Sequence, residues 1–260
     1  PQPETIGLYT DLTIPVPPNA SDESFRRLPP FLATEQNEGR IRWHWRFDTP
    51  GKYQKYMKAY FRMLTEMDNA VGDIIAELKK QGIYENTLII FTGDNGYFHG
   101  EHGLADKWYP YEESVRVPMI ICDPRLRQKR RPLVNEGFVL NIDMAPTIIA
   151  AAELPVPAEM QGKDISGLYL RRTPDKWRKD FYYEHPFVTN EKRIPSSEAV
   201  ITHEDKYIFW PFYNYEEYFN LEKDPYEKQN AVNDPGNAVR IQMLKDRLGK
   251  LREDAGKSLK

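Results

Sequence analysis

Residues 87–107 have the sequence Thr87-Leu-Ile-Ile-Phe-Thr-Gly-Asp-Asn-Gly-Tyr-Phe-His-Gly-Glu-His-Gly-Leu-Ala-Asp-Lys107. The unbroken apolar run at 88–91 is typical of a strand that is buried on both faces of a parallel sheet. Four glycines then follow within eleven residues and alternate with charged and amide side chains. Because glycine permits tight bends, such a loop can direct many polar groups inward. Ligands of open α/β sheets bind where the strands end, so we predict a functional site in this loop.

The segments on either side of the loop predict an α/β domain. Apolar residues recur at three- and four-residue steps between 53 and 78, which predicts an amphipathic helix that ends before Gly82. A second apolar run at 115–122 predicts another strand, with Pro118 at its start. We also predict a short strand at 134–140 and a helix at 142–154. The proline-rich residues 1–46 are expected to cross a surface in an extended form.

The composition changes after Pro155, where aromatic residues become dense and alternation replaces helical spacing. This pattern predicts antiparallel strands at 181–184, 199–202, 206–210 and 217–221. A closing helix from 238 to about 252 would place one group of apolar residues on its buried side: Val239, Met243, Leu244, Leu248 and Leu251. We therefore predict two domains, an α/β domain at 1–164 and a small α+β subdomain at 165–260.

Charge, cysteine content and hydropathy exclude several classes of function. The 260 residues include 36 Lys and Arg and 39 Asp and Glu, for a net charge of −3. That balance predicts no nucleic-acid partner. The single Cys122 excludes an internal disulfide and a zinc site built from cysteines. No apolar stretch reaches the roughly 18 residues that span a bilayer, so we predict no membrane span.

The polar residues of the loop are the chemical candidates. Asp94 and Asn95 offer adjacent oxygen ligands, which suit Ca²⁺ or Mg²⁺, although Asp-Asn-Gly is also an ordinary turn. The histidines and the glutamate at 99–102 lack the helical spacing of a zinc site. Lys107 could neutralise an anionic group. Nucleotide binding and serine-hydrolase chemistry are unsupported, because the chain lacks a phosphate-cradling Gly-Lys-Ser/Thr ending and a Gly-x-Ser-x-Gly elbow.

Several ordered motifs together resemble the sulfatase family, the formylglycine-dependent sulfate-ester hydrolases of the alkaline phosphatase superfamily. Within and after the loop they are Thr92-Gly-Asp-Asn-Gly96, Gly100-Glu-His-Gly103, Lys107 and Tyr111-Glu-Glu-Ser-Val-Arg-Val-Pro118. Two further motifs, at 141–147 and 218–227, also match the family. The resemblance covers most of the chain from about Tyr53 onward.

The resemblance implies a fold and a set of roles. The fold would be an alkaline-phosphatase-like α/β fold, with part of a mostly parallel sheet flanked by helices, a small C-terminal antiparallel sheet and a terminal helix. Asp94 and Asn95 would complete a metal site for Ca²⁺ in preference to Mg²⁺. Lys107 would be catalytic and contact the sulfate group, with His102 nearby on the substrate-binding side. Secreted, periplasmic or lysosomal locations are typical of the family.

The chain also departs from the family pattern. The family's nucleophile arises in Cys-x-Pro-Ser/Ala-x-Arg or a serine equivalent, and Cys122 does not fit because Leu126 stands in the arginine position. The family's early aspartate pair and its leaving-group histidine precede the matched region. We therefore expect this chain to be the C-terminal portion of a sulfatase. The formylglycine nucleophile would lie in a missing N-terminal half, and this chain alone would be inactive.

Two other functions stay open at this point. One is hydrolysis of phosphate or phosphonate esters by the same superfamily, with a zinc pair and a Ser or Thr nucleophile in the missing half. The other is a non-catalytic binding module in which Asp94 and Asn95 form only a turn. For a sulfatase, the polar segment at 191–198 favours a sulfated carbohydrate as substrate. His185 or Arg193 would then contact its ring hydroxyls or a second anionic group.

Overall fold

A computed structural model describes residues 1–126, 134–170, 176–186 and 190–257. The chain divides into two compact units that alternate along the sequence. The first unit comprises Pro1–Thr87, Asn95–Pro118 and Phe187–Pro195, and the second comprises Leu88–Asp94, Met119–Pro186 and Ser196–Lys260. The predicted domains at 1–164 and 165–260 stay a prediction.

The described residues form seven α-helices and eight β-strands. In chain order they are α1 (Asp22–Arg27), α2 (Glu38–Arg46), α3 (Pro50–Lys80), β1 (Ile89–Thr92), β2 (Phe98–His99), β3 (Ala105–Asp106), α4 (Glu112–Val115), β4 (Met119–Cys122), α5 (Met144–Ala151), α6 (Ser166–Tyr169), β5 (Asp180–His185), β6 (Ser197–Thr202), β7 (Asp205–Trp210), β8 (Tyr215–Asn220) and α7 (Ala238–Lys257). The mixture of helices and short sheets agrees with the predicted α/β class.

The long helix α3 is the main support of the first unit and confirms the predicted amphipathic helix. It begins at an N-cap, where Thr49 Oγ1 accepts a hydrogen bond from the Lys52 backbone N–H, and Pro50 occupies the first turn. Its first turns bury Tyr53 and Met57 in an apolar cluster with Phe47. Burial at i and i+4 is what the apolar spacing of the sequence predicts.

The N-terminal segment lies against α3 through bonds from side chains of the helix to its backbone. Lys58 Nζ donates to the Thr10 carbonyl oxygen at 2.7 Å, and Gln54 Nε2 donates to the Ile14 carbonyl oxygen at 2.7 Å. This part therefore crosses a surface as predicted, but residues 3–11 form turns, so the extended form that we expected there was wrong. The prediction was wrong for 22–46, which contains α1 and α2. Helix α2 buries polar residues, so it lacks the apolar period that identifies a helix.

In the second unit, β1 and β4 form a two-stranded antiparallel pair that runs from Ile89 opposite Cys122 to Thr92 opposite Met119. Strand β4 begins directly after Pro118, as predicted. The antiparallel pairing differs from the parallel neighbour that we expected for β1. An apolar run predicts burial but does not define the direction of the partner strand. Burial is also incomplete, since Ile120 is 65% exposed.

Residues 134–140 are irregular, so the strand that we predicted there was wrong. The structure describes all of residues 134–140. The backbone of this segment bonds to side chains instead of to a neighbouring strand. Trp177 Nε1 donates to the Phe138 carbonyl oxygen at 2.8 Å, and the Leu140 N–H donates to Asp143 Oδ2 at 2.8 Å. The predicted helix at 142–154 is confirmed as α5.

A four-stranded antiparallel sheet with the order β5-β6-β7-β8 packs against α7. All four strands and the closing helix were predicted from the sequence. The buried face of α7 consists of Ile241, Leu244 and Leu248. Val239 and Met243, which we expected on that face, are exposed. No helix in the described part of the chain is long and apolar enough to span a membrane.

Two of the family-like motifs support this fold. In the motif at 141–147, the buried Asp143 carboxylate accepts hydrogen bonds from the Leu140 and Lys163 backbone N–H groups, each at 2.8 Å, and pairs with Arg178. In the motif at 218–227, Glu227 pairs with Lys206 at 2.7 Å, and both side chains are buried. Buried charges must be paired, so these residue types are required by the packing around them.

Candidate active site

The glycine-rich loop begins with a close backbone contact to α4 in the first unit. The Gly96 N–H donates to the Ser114 carbonyl oxygen at 2.9 Å, and the Tyr97 N–H donates to the Glu113 carbonyl oxygen at 2.6 Å. A Cβ atom at Gly96 would lie only 2.1 Å from the Glu113 oxygen. Glycine is therefore required here by the approach of the two backbones.

Two of the predicted site residues, Lys107 and Asn95, contact each other from opposite ends of this loop. Lys107 Nζ donates to Asn95 Oδ1 at 2.9 Å, although the residues are 12 apart in sequence. The contact places an ammonium group beside an amide oxygen that can also accept from a second partner. The Lys107 ammonium group and the Asn95 amide oxygen thus lie side by side.

Asp94 belongs to the second unit, whereas Asn95 begins a segment of the first. In the second unit, the Asp94 carbonyl oxygen accepts a hydrogen bond from Asn141 Nδ2 at 2.6 Å. The Asp94 residue is exposed. The hydrogen bond from Asn141 anchors the backbone just after β1, while Asp94 itself stays accessible to solvent.

The backbone around Lys107 is unusual for residues that carry side chains. His102, Asp106 and Trp108 have φ values of 54°, 70° and 90°. Such values are uncommon outside glycine, and for a bulky residue such as Trp108 they are outliers. Conformations of this kind cost roughly 1–3 kcal/mol each and cluster at functional sites. The surrounding structure must therefore stabilise the turn that presents Lys107.

Asp106 supplies part of that stabilisation. Its Oδ2 atom accepts hydrogen bonds from Arg42 Nη1 at 3.1 Å and from Arg46 Nη1 at 3.0 Å. Arg42 also donates through Nε to Glu38 Oε1 at 2.9 Å. Because both arginines lie on α2, the helix fixes the residue directly before Lys107.

His102 lies in the interior of the first unit and is 1% exposed. Its Nε2 atom is 3.5 Å from Glu113 Oε2 and 3.3 Å from Asn19 Nδ2. The ring stacks on Tyr111 with a centroid distance of 4.8 Å. These contacts tie the loop to α4 and to the N-terminal segment. A direct contact between His102 and substrate stays a prediction.

Two neighbouring titratable groups have strongly shifted pKa values because they are buried. Burial, together with the nearby Glu113 carboxylate, raises the pKa of Glu101 to about 7. Burial lowers the pKa of His99 to about 4. For Glu113, burial opposes ionisation, but the hydrogen bond and charge of His102 outweigh it and lower the pKa. Charge is therefore costly in the immediate surroundings of Glu101 and His99.

The residue types at the loop fit part of a site for a hard cation. Calcium takes six to eight oxygen ligands, and the Asp94 carboxylate and the Asn95 amide oxygen are of that kind. Within the described ranges, no group of three or more His, Cys, Asp or Glu residues lies close enough to hold a metal ion. The two residues would therefore supply a minority of the ligands.

Sequence reasoning missed the charged residues of α2. Glu38, Arg42 and Arg46 recur at four-residue steps, which is a helical signal for charge pairing. We had assigned this segment to an extended stretch, so the signal was not used. Of the two residues proposed for substrate specificity, His185 ends β5 in the second unit. Arg193 is in the first unit and pairs with Glu38.

Two family models match the chain. The model for sulfatases matches residues 17–154, and the model for the C-terminal part of N-sulphoglucosamine sulphohydrolase matches residues 100–254. An N-acetylglucosamine-6-O-sulfatase from Bacteroides thetaiotaomicron is 33% identical over 184 residues, which cover 69% of this chain and 32% of that protein. The chain thus spans about a third of the length of this curated relative.

Solved structures show the same fold. One is a protein in complex with its substrate D-glucosamine-2-N,6-O-disulfate, with a TM-score of 0.80 and 24% identity over 97% of this chain and 62% of that chain. Another is a phosphonate monoester hydrolase from Silicibacter pomeroyi, with a TM-score of 0.80 and 20% identity over 95% of this chain and 52% of that chain.

These matches confirm the fold class, which is an alkaline-phosphatase-like α/β fold. Within that class, the chain belongs to the sulfatase family. The resemblance that the loop motifs carried in the sequence is thereby confirmed.

Proposed function

We propose that the protein containing this chain hydrolyses a sulfate ester of a carbohydrate. The observation that carries the proposal is the contact between Lys107 Nζ and Asn95 Oδ1, in the loop of a chain that belongs to the sulfatase family. A sulfate ester is negatively charged before, during and after cleavage of its S–O bond. A preorganised ammonium group therefore stabilises the reacting group throughout.

Four residues have roles in this proposal. Lys107 binds a sulfate oxygen, and Asp94 and Asn95 would hold Ca²⁺ through their side-chain oxygens. When bound, Ca²⁺ would add positive charge at the sulfate, and a formylglycine would supply the nucleophile. His102 positions the loop through Glu113 and does not react itself. Water is consumed, and the products are the alcohol and inorganic sulfate.

Two similar proteins support an amino sugar as the substrate. One relative is named an N-acetylglucosamine-6-O-sulfatase, and one structural neighbour was solved with D-glucosamine-2-N,6-O-disulfate. We therefore propose a sulfated hexosamine, alone or at the end of a glycan. A panel of sulfated monosaccharides, with release of inorganic sulfate as the readout, tests this choice.

We further propose that the active site is completed by polypeptide that this chain does not contain. Apolar residues on the second half of α3, Met67 and Ile74, are exposed, as is Ile120 of β4. A further layer of the α/β fold would cover such faces. That part would also carry the formylglycine, the remaining Ca²⁺ ligands and the acid for the leaving alcohol.

Completeness is tested by native mass spectrometry and activity measurements on residues 1–260 alone and on the longer protein. We expect hydrolysis only from the longer protein or from a complex with a separate amino-terminal piece, because two ligands cannot form a Ca²⁺ site. A monomer of 30.5 kDa that is stable and hydrolyses sulfate esters by itself would contradict the proposal.

The substitution Lys107→Ala tests the central role in the complete enzyme. Loss of one preorganised charge contact typically costs about 3 kcal/mol, so we expect kcat/KM to fall roughly a hundredfold while Ca²⁺ stays bound. Asp94→Ala should instead weaken Ca²⁺ binding, measured by calorimetric titration. Sulfatase activity within twofold of wild type for Lys107→Ala would refute the assignment.

Hydrolysis of phosphonate or phosphate monoesters is the second candidate. It is favoured by the phosphonate monoester hydrolase neighbour, whose TM-score equals that of the neighbour solved with a sulfated sugar. Assays with matched sulfate and phosphonate monoesters of one aryl alcohol separate the two activities. A protein that binds Ca²⁺ and sulfated sugars but hydrolyses neither ester would instead be a binding module.

A further inference from the structure

Three arginines of the first unit form one connected network, which we call the arginine cluster: Arg42, Arg46 and Arg193. Glu38 accepts from Arg42 Nε at 2.9 Å and also pairs with Arg193. Asp106 accepts from Arg42 at 3.1 Å and from Arg46 at 3.0 Å. The two carboxylates thus hold three guanidinium groups together.

The arginine cluster is joined to the residues on both sides of Lys107. Arg42 binds Asp106, and its guanidinium carbon lies 5.1 Å from the centroid of the Trp108 ring. Asp106 and Trp108 have the positive φ values of 70° and 90°, so the backbone that presents Lys107 has its unusual shape where the cluster contacts it. Geometry therefore couples the cluster to the proposed sulfate contact.

The arginine cluster has more positive charge and more donors than its carboxylates can satisfy. Three guanidinium charges and two carboxylate charges leave a net charge of 3 − 2 = +1. Three guanidinium groups have about 15 N–H donors, whereas two carboxylates offer about eight acceptor sites. An additional oxyanion would use donors that these carboxylates cannot occupy.

The cluster is also accessible and has an aromatic neighbour. The Arg193 side chain is 51% exposed. Trp45 is 54% exposed, and the guanidinium carbons of Arg42 and Arg46 lie 5.9 Å and 5.8 Å from its ring. An exposed indole beside guanidinium groups offers one face to the apolar side of a sugar ring and donors to an acidic substituent.

We propose that the arginine cluster binds a second anionic group, a sulfate or a carboxylate, on the sugar whose sulfate ester contacts Lys107. The proposal rests on the proposed function and deepens it by naming a doubly acidic carbohydrate as the preferred substrate. Guanidinium groups match the planar spacing of oxyanion oxygens and bind them through two parallel hydrogen bonds. The cluster sets specificity and takes no part in S–O cleavage.

The test uses the complete enzyme and two substrates that differ in one charge, a hexosamine bearing an N-sulfate and an O-sulfate, and the same O-sulfate with an N-acetyl group. The readout is the ratio of kcat/KM for the disulfate to that for the monosulfate. We expect Arg193→Gln and Arg46→Gln each to lower this ratio about tenfold, because each removes charged hydrogen bonds to the second group.

Arg27→Gln is the matched control. The Arg27 side chain is 50% exposed, as Arg193 is at 51%, and it also pairs with a glutamate, the exposed Glu23 of α1. Its ratio should equal that of wild type. Thermal denaturation of each variant shows whether it is folded, and Arg193→Lys should recover part of the ratio because it restores the charge without the planar donors.

An unchanged ratio in both Arg46→Gln and Arg193→Gln would overturn the proposal, as would an equal loss on both substrates. If the enzyme hydrolyses neither sulfate ester, the proposed function fails. The ratio of the Kd values for the disulfate and the monosulfate, measured by calorimetry on wild type and Arg193→Gln, then decides the subsite independently.

Discussion

The loop from Asn95 to Trp108 and the sheet of β5 to β8 with α7 differ in how their conformations are stabilised. In the loop, His102, Asp106 and Trp108 have positive φ values and several titratable groups are buried. In the sheet, β6, β7 and β8 pair in continuous antiparallel register, and none of their residues has a positive φ. Long-range polar contacts hold the unusual backbone of the loop, whereas the sheet combines regular pairing and apolar burial with charge pairs such as Lys206 and Glu227.

The difference separates the candidate site from a supporting region. Conformations that a residue does not favour by itself persist only where other parts of the molecule enforce them. Helix α2 does this for Asp106 through Arg42 and Arg46. The sheet needs no such help, because alternating side chains and strand pairing agree with the local preference of its residues. The comparison predicts different responses to substitution in the two regions.

Gly96→Ala should have the largest effect. The added Cβ would meet the Glu113 carbonyl oxygen at 2.1 Å and the Arg116 carbonyl oxygen at 2.6 Å, and backbone atoms cannot move aside as a flexible side chain can. We expect the free energy of unfolding to fall by more than about 3 kcal/mol. Urea denaturation measures it.

Gly72→Ala in α3 is the control for that substitution. A Cβ at Gly72 would have no atom within 4 Å, and alanine favours a helix interior. We expect stability to stay the same or to rise by up to about 1 kcal/mol. Equal destabilisation by the two substitutions would show that the close backbone contact at Gly96 is not the cause of the lost stability.

Leu244→Ala tests the supporting region. Leu244 is buried between α7 and the sheet with Val200 and Tyr207. Loss of its side chain should leave a cavity and cost about 3 kcal/mol in free energy of unfolding. Met243→Ala, at the exposed neighbouring position, should change it by less than about 0.5 kcal/mol. Similar losses at the two positions would mean that the helix packs on another face.

Glu101→Gln tests the polarity of the loop through pH. The pKa of Glu101 rises from its ordinary value of 4.5 to about 7 on folding. Because the folded pKa is the higher one, this carboxyl contributes most to stability below pH 4.5, and the contribution is lost as the pH rises toward 7. Glutamine stays neutral. Relative to wild type, Glu101→Gln should therefore gain roughly 2–3 kcal/mol between pH 5 and pH 8.

The measurement is urea denaturation of both proteins at the two pH values. His99, whose lowered pKa makes stability fall as the pH decreases from 6.5 to about 4, is present in both proteins and cancels from the comparison. Glu253→Gln, on an exposed position of α7, serves as the control. A pH-independent difference between wild type and Glu101→Gln would show that the carboxyl is not in a region of low polarity.

Elements with a clear repeat were predictable from the sequence. The apolar period of α3 and the alternation of β5 to β8 report burial on one side, which is a local property of the chain. Helix α2 was not predictable in this way, because it buries Gly39 and Arg40 instead of apolar side chains. The direction of the β1 partner was also hidden, since burial is similar in both directions of pairing.

The site divides in the same way. The order of residues at 92–118 was enough to indicate the family and to single out Asp94, Asn95, His102 and Lys107. The spatial arrangement of these residues could not be predicted. The hydrogen bond between Lys107 and Asn95 spans 12 residues, and the contact between Asn19 and His102 spans 83. Spacing in the sequence does not report such distances.

The sequence by itself determined the family of this protein and its repeating elements, and it singled out the candidate site residues, because residue type and local periodicity are sufficient for these. Tertiary structure alone decided that His102 is buried beside Glu113, that Arg193 joins Arg42 at Glu38, and that the residues around Lys107 adopt positive φ values. The physical reason is that these features depend on charges and backbone atoms brought together by folding from segments that are far apart in the chain.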